Sequence, residues 1–150
     1  MHIALESPDQ PDVTALIAAL DAYQDGLYPP ESRHALDLAS LQRDNVRFFV
    51  ARDAARRAVG CGAVVLHDGH GEIKRVYVDP AARGQGAAAG LMRALEAASV
   101  DAGCTRLMLE TGPYQPEALG LYESFGYARR GPFAGYRDDP LSVFMEKALA

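Results

Sequence analysis

Cysteine is scarce in this chain of 150 residues, which has only Cys61 and Cys104. The two make neither a metal-ligand spacing nor a disulfide framework, so no bound metal is expected and a reducing cytoplasm is the simplest compartment. Long apolar runs are also missing. No stretch approaches the ~18 residues that a membrane span needs, and the opening MHIALESPDQ has neither the basic region nor the apolar core of an export signal. Basic charge is in deficit, with 15 Lys and Arg against 20 Asp and Glu, a net charge of −5 and a pI near 5.3. Phosphate backbones need clustered Lys and Arg, so nucleic acid is a poor partner, whereas a small cationic amine is compatible with an acidic chain. Repeats and low-complexity tracts are absent, which excludes a solenoid. What is present is a globular composition, 49% apolar and 23% charged, at a length that suits one domain over residues 1–150.

The order of elements reads as α+β. His2 to Leu5 has the pattern of a short strand. Pro11 stands at a helix N1 position with Asp12 in the first turn, and Val13, Leu16, Ile17 and Leu20 form one apolar stripe up to Gly26. A proline-broken segment from Leu27 to His34 leads to a predicted second helix over Ala35 to Arg43. Val46 to Arg52 and Ala58 to His67 are rich in β-formers, and Gly60 and Gly62 inside the second run mark a bulge or a close packing contact. After a central strand from Glu72 to Val78 and a helix from Ala87 to Ala102, Gly103 supplies a stop. Arg106 to Thr111 is a short buried strand that the helical crossover places parallel to the central one. Pro116 opens a last helix ended by Gly126, and Leu141 to Lys147 is the final strand.

The chain is organised around Glu72 to Ala102. Its strand ends at Asp79-Pro80, passes through Arg83-Gly84-Gln85-Gly86, and turns into a helix whose stripe is Ala88, Leu91, Leu95, Ala98 and Ala102. The first N–H groups of a helix lack intrahelical partners and sit at the positive end of its dipole. Gly84 and Gly86 present no side chain to an approaching phosphate, and Arg83 adds a full positive charge, so this stretch is a candidate pyrophosphate holder. A P-loop is excluded because no Gly-Lys-Ser/Thr follows. Gly84, Gly86 and Ala89 also satisfy G-x-G-x-x-A, with Glu110 near the distance of a ribose-binding acid, so NAD(P) binding stays open as a rival. Against it, Pro80 to Arg83 separates strand from glycine, and too few alternating strands and helices surround the motif.

Arg83-Gly84-Gln85-Gly86-Ala87-Ala88 resembles the Q/R-x-x-G-x-G/A motif of the GCN5-related N-acetyltransferase (GNAT) superfamily. Val76-Tyr77-Val78 is similar to that family's splayed fourth strand, and Gln115 to Tyr127 (QPEALGLYESFGY) to its N-x-x-A-x-x-x-Y-x-x-x-G-F/Y segment. The resemblance implies a central, mixed, mostly antiparallel sheet with a splayed parallel pair, flanked by helices. It implies acetyl-CoA as co-substrate, without a metal, and direct attack of a primary amine on the thioester. A catalytically silent acyl-CoA-binding module on the same fold is the non-enzyme alternative.

Site residues follow from the resemblance position by position. Arg83, Gly84, Gln85, Gly86, Ala87 and Ala88 would hold the pyrophosphate, and the backbone of Val76, Tyr77 and Val78 would pair with the pantetheine arm. Glu72 matches a glutamate base of some members. A free glutamate is too acidic for that task without a raised pKa or a relaying water, and Lys74 shares its strand face. A solvated strand-end glutamate is the alternative. Tyr122 matches the tyrosine that protonates the departing sulfur, although its stripe with Ala118, Leu121 and Phe125 is explained equally by core packing. Gln115 replaces the family's asparagine, so a cofactor contact there has one more rotatable bond. Tyr28 and Arg33, and less so His34, fall where the family builds its acceptor wall; an ordinary solvated loop is the alternative. The acceptor amine, small or peptidic, is not specified. A homodimer is the commonest assembly for such a chain, though no residue pattern marks an interface.

Overall fold

Side chains alternate across the strand Val46–Arg52 (β2), and that alternation sets the layers. Phe48 and Val50 bury with Val13 on one side of the sheet, while Ala51, with Phe49 packed against the same cluster, buries with Ala87 and Leu91 on the other. The computed structural model describes residues 1–149. Its remaining elements are β1 (His2–Leu5), α1 (Pro11–Asp25), α2 (Leu38–Leu41), β3 (Ala58–Leu66), β4 (His70–Val78), α3 (Ala87–Asp101), β5 (Arg106–Thr111), α4 (Pro116–Ser124), β6 (Ala128–Arg130) and β7 (Val143–Ala148). They form a seven-stranded sheet in the order β1-β2-β3-β4-β5-β7-β6, antiparallel except for the β4–β5 pair. This is the expected mixed α+β sheet flanked by helices, and with one parallel pair it offers no doubly wound sheet for a dinucleotide.

The two glycines of β3 mark close packing contacts, while the bulge lies in the strand opposite them. A Cβ on Gly60 would lie 3.2 Å from a Leu91 methyl, and one on Gly62 3.2 Å from a Leu95 methyl, so α3 seats directly on β3. The β3–β4 register also shifts between Cys61 and Ala63. The extra residue lies in β4, where Arg75 has φ of +59°. A non-glycine residue there costs about 1–2 kcal/mol, and its own side chain holds it in place. Arg75 donates to Leu36 O at 2.8 Å and pairs with Asp21 Oδ1 at 2.5 Å.

Element bounds differ from the sequence reading at several ends, with β4 beginning at His70 rather than Glu72, and the differences at α2, the last strand and β6 are the most informative. The helix expected over Ala35 to Arg43 forms only at Leu38–Leu41, preceded by a 3-10 turn at Pro30–Ser32. Asp37 caps it by accepting from Ser40 N–H at 2.8 Å, while the Leu36 and His34 carbonyls are taken by Arg75 and Lys74, which keeps residues 33–36 out of a helix. The last strand starts at Val143 rather than Leu141, because Asp139 accepts from the N–H groups of Leu141 and Ser142 in a turn. The short β6 was not expected, its Ala-Arg-Arg having no strand pattern.

Candidate active site

β4 and β5 pair only from His70–Ile73 to Arg106–Leu109, yet both strands run on, to Val78 and Thr111. The bulge at Arg75 turns β4 away immediately after the last pair, and a wedge opens between the strands. Into it α4 brings Tyr122, and the sequence dictates how. Pro116 at the helix start and Gly126 at φ +91° just past its end fix the length, so that Ala118, Leu121 and Tyr122 face inward.

One side of the wedge is a cleft of about 340 Å³, walled by Val76, Tyr77 and Val78 of β4, by Ala118 and Tyr122 of α4, and closed by the loop into α3. Gly84 and Gly86 adopt φ of +80° and +83°, the left-handed region that glycine enters without strain. A Cβ on either would meet nothing within 4 Å, so the requirement is conformational. Gly86 is the N-cap of α3 and no side chain caps that helix, which leaves its first N–H groups directed to the cleft. Arg83, half exposed, reaches Glu117 Oε1 at 3.6 Å, a pair loose enough to yield to a phosphate. Of the residues matched to the motif, Arg83, Gly84, Gly86, Ala87 and Ala88 line the cleft; Gln85 is exposed and does not. The cradle, the cleft and the extended β4 edge fit a nucleotide-tailed thioester.

On the other side lies a more polar cavity of about 80 Å³. Leu20, Val76, Gln115, Ala118 and Tyr122 line both spaces, so the two meet at the Tyr122 ring. Tyr28, Arg33 and His34 all line this second space. Tyr28 accepts a hydrogen bond from Tyr114 N–H at 3.0 Å and stacks on that ring at 5.5 Å, tying the segment after α1 to the β5–α4 loop. Gly112 is required beneath it, since a Cβ there would overlap the Tyr28 ring. Arg33 pairs with Asp21 Oδ1 at 2.9 Å and with Asp25.

Glu72 lies elsewhere. Its buried carboxylate accepts from the Tyr136 hydroxyl at 2.5 Å and pairs with Lys74 at 3.1 Å, and it lines neither space. Lys74 also donates to His34 O at 3.0 Å and to Tyr136. The acidic group in the polar cavity is instead Glu110, the first β5 residue beyond the last β4–β5 pair. Burial pushes its carboxyl up to about 7, with Ser142 and Lys74 drawing it down and the charges of Glu72 and Asp139 adding to the rise. Ser142 Oγ, for its part, is buried without a hydrogen-bond partner of good geometry, so its hold on Glu110 is weak. On sequence Glu110 stands out only at the distance of a ribose-binding acid, and its strand-end place is the signal that marks it. Burial likewise raises the Tyr122 hydroxyl above the ordinary tyrosine range, which keeps it protonated.

A cleft headed by an uncapped helix N-terminus, adjoining a polar cavity at a tyrosine, suits a transferase that uses a nucleotide-tailed acyl donor. The chain matches the Acetyltransferase (GNAT) family over residues 14–127 and belongs to it. It is an N-acetyltransferase with an acyl-CoA as co-substrate. It is 48% identical to the IAA acetyltransferase of Azospirillum brasilense, over 98% of this chain and 97% of that one. It is 37% identical to the uncharacterised N-acetyltransferase YsnE of Bacillus subtilis (strain 168), over 99% and 100%. A crystal structure from Klebsiella pneumoniae subsp. pneumoniae, of a proposed acyl-CoA N-acyltransferase, superposes with a TM-score of 0.88 at 45% identity, covering 99% of this chain and 97% of that one. In fold alone the chain is similar to an aminoglycoside 6'-N-acetyltransferase complexed with coenzyme A, with a TM-score of 0.76 at 15% identity and 100% and 98% coverage.

Proposed function

We propose that the protein transfers the acetyl group of acetyl-CoA to the primary amine of a small acceptor by direct attack. The observation that carries this reading is the meeting of the two spaces at Tyr122, Val76 and Gln115. When bound, the co-substrate supplies a thioester carbonyl. The cradle of Arg83, Gly84, Gly86, Ala87 and Ala88 holds the pyrophosphate through the α3 N-terminus and one full charge. The free edge of Val76–Val78 offers backbone groups to the pantetheine arm, as a strand would. Gln115, buried at the N-cap of α4, is positioned to hydrogen-bond that arm where it passes between the spaces. Tyr122 donates its proton to the departing sulfur. Tyr28 and Arg33 shape the acceptor side, and about 80 Å³ of space admits the amine end of a ligand with little bulk around the nitrogen.

Calorimetry with acetyl-CoA, followed by thiol release across a panel of primary amines, tests the reading. Micromolar binding with turnover of at least one unhindered amine is expected. Binding without turnover of any amine, or no binding, would overturn it.

A further inference from the structure

We infer that Glu110 is the group that takes the proton from the acceptor's ammonium; this rests on the acetyl-transfer reading above. Three observations converge. Glu110 stands in the mouth of the wedge, one residue past the Ile73–Leu109 pair that ends β4–β5 contact. It lines the same cavity as Tyr122, so proton acceptor and proton donor flank the place where the amine must meet the thioester. Among the described residues it makes no ion pair, whereas the Glu72 carboxylate is occupied by Lys74 and Tyr136.

The groups around Glu110 leave it available. From β4, Lys74 has its ammonium engaged by Glu72, Tyr136 and the His34 carbonyl, and Arg75 is held by Asp21 and Leu36 O. From the segment after α1, Arg33 is neutralised by Asp21 and Asp25, and burial and Lys74 hold His34 below its ordinary range, in the neutral form. Tyr28 and Tyr122 are protonated phenols, and from the β6–β7 loop Tyr136 is a third, with Asp139 the remaining negative charge. The carboxyl raised to about 7 can therefore accept a proton near neutrality, which an ordinary glutamate does poorly.

The protons and bonds balance. An ammonium N–H proton passes to a Glu110 oxygen, and the freed lone pair forms the C–N bond at the thioester carbonyl. The C–S bond breaks and sulfur takes the Tyr122 proton. The second nitrogen proton restores the tyrosine, and Glu110 releases its own to solvent. One amide, one thiol and one proton result.

Two measurements test this. In protein labelled with 13C at the glutamate carboxyls, the resonance lost in Glu110→Gln should titrate with a midpoint near 7; a midpoint below about 5, the ordinary carboxylate range, overturns the inference. In thiol release with ethylamine, glycinamide and 2-phenylethylamine, using the best-turned-over probe, kcat/KM of the parent should rise through that same pH. Glu110→Gln should lose the limb and about 100- to 10,000-fold in kcat at pH 7, with the deficit shrinking toward the amine's own pKa. Glu72→Gln should keep the limb. A limb that persists in Glu110→Gln, with acetyl-CoA bound as in the parent, overturns Glu110 alone. A parent that binds no acetyl-CoA or turns over no amine overturns the acetyl-transfer reading, and the role with it.

Discussion

The Tyr136 hydroxyl donates to Glu72 Oε2 across 2.5 Å, and this bond joins the β6–β7 loop to the central strand. The same loop is fastened to the segment after α1, where Ser32 Oγ donates to Asp139 Oδ2 at 2.7 Å. Tyr136 also packs edge-on to His34, with ring centroids 5.1 Å apart. Glu72 and Lys74 thus serve as the anchor on which the β6–β7 loop and the segment after α1 are hung. On sequence the pair, two apart on one strand face, suggests a base hampered by its neighbour; the arrangement of Glu72, Lys74 and Tyr136 suits a strut better.

Tyr136→Phe keeps the ring contacts with Phe133 and Phe144 and removes only the hydroxyl. Glu72 then loses one of its two partners while remaining buried. The expected cost is about 1–3 kcal/mol of stability, with a raised KM for the amine and an unaltered Kd for acetyl-CoA. Melting temperature, amine KM and calorimetric Kd measured on one preparation decide it. A raised Kd with an unchanged KM would place the strut on the wrong ligand.

At the cradle, Gly86→Glu puts a carboxylate beside the phosphate position and forces a side chain onto a φ of +83°. Acetyl-CoA binding should vanish. Gly86→Ala isolates the backbone term, at about 1–2 kcal/mol of strain, and should retain weakened binding. Arg83→Ala should cost roughly 1–3 kcal/mol of affinity, reduced by the freed Glu117. Unchanged affinity in both Gly86→Glu and Arg83→Ala would relocate the phosphate site.

Most of this architecture is legible in the sequence because its signals are local. β2 and β5 appear over the residues that their β-branched and aromatic runs marked, and α1 and α4 begin at the prolines that announced them. The glycines of the cradle are where the motif puts them. What escaped depends on contacts far apart in sequence. The shortened α2 follows from Arg75 and Lys74 capturing the Leu36 and His34 carbonyls, some forty residues earlier in the chain. The emergence of Glu110 as the cavity carboxylate follows from a splay created by a single bulged arginine, which no periodicity announces. Glu72 and Glu110 are both strand-end glutamates on paper; only the third dimension separates them.

The raised Glu110 carboxyl has a consequence for stability. Its folded pKa of about 7 exceeds the ordinary 4.5, so the fold favours the protonated form. That stabilisation is fully present below pH 4.5 and is lost as pH rises through 7. Glu110→Gln mimics the protonated group at every pH. It should match the parent near pH 4 and exceed it at pH 8 by about 1–3 kcal/mol, read as the difference in urea midpoints. Equal midpoints at both pH values would show that the carboxylate is not strained when ionised.

Tyr122 separates packing from chemistry. Its ring is buried among Leu95, Leu109 and Met145 and meets Tyr127 at a centroid distance of 6.0 Å, so a purely structural account of this residue is self-sufficient. Yet it also lines both spaces, and its hydroxyl is held protonated by burial and by the charge of Glu110. Tyr122→Phe keeps the ring and its buried area. If the hydroxyl protonates the leaving sulfur, kcat should fall by roughly 10- to 1,000-fold. The Kd for acetyl-CoA should stay nearly constant, because the bond matters as charge develops on sulfur. The melting temperature should change by no more than a few degrees. The comparison to make is kcat for parent and variant with a thiol of lower pKa in the donor, where the need for an acid falls and the deficit should narrow. An undiminished kcat in well-folded Tyr122→Phe would leave this tyrosine as the floor of the cleft and assign the sulfur's proton to solvent.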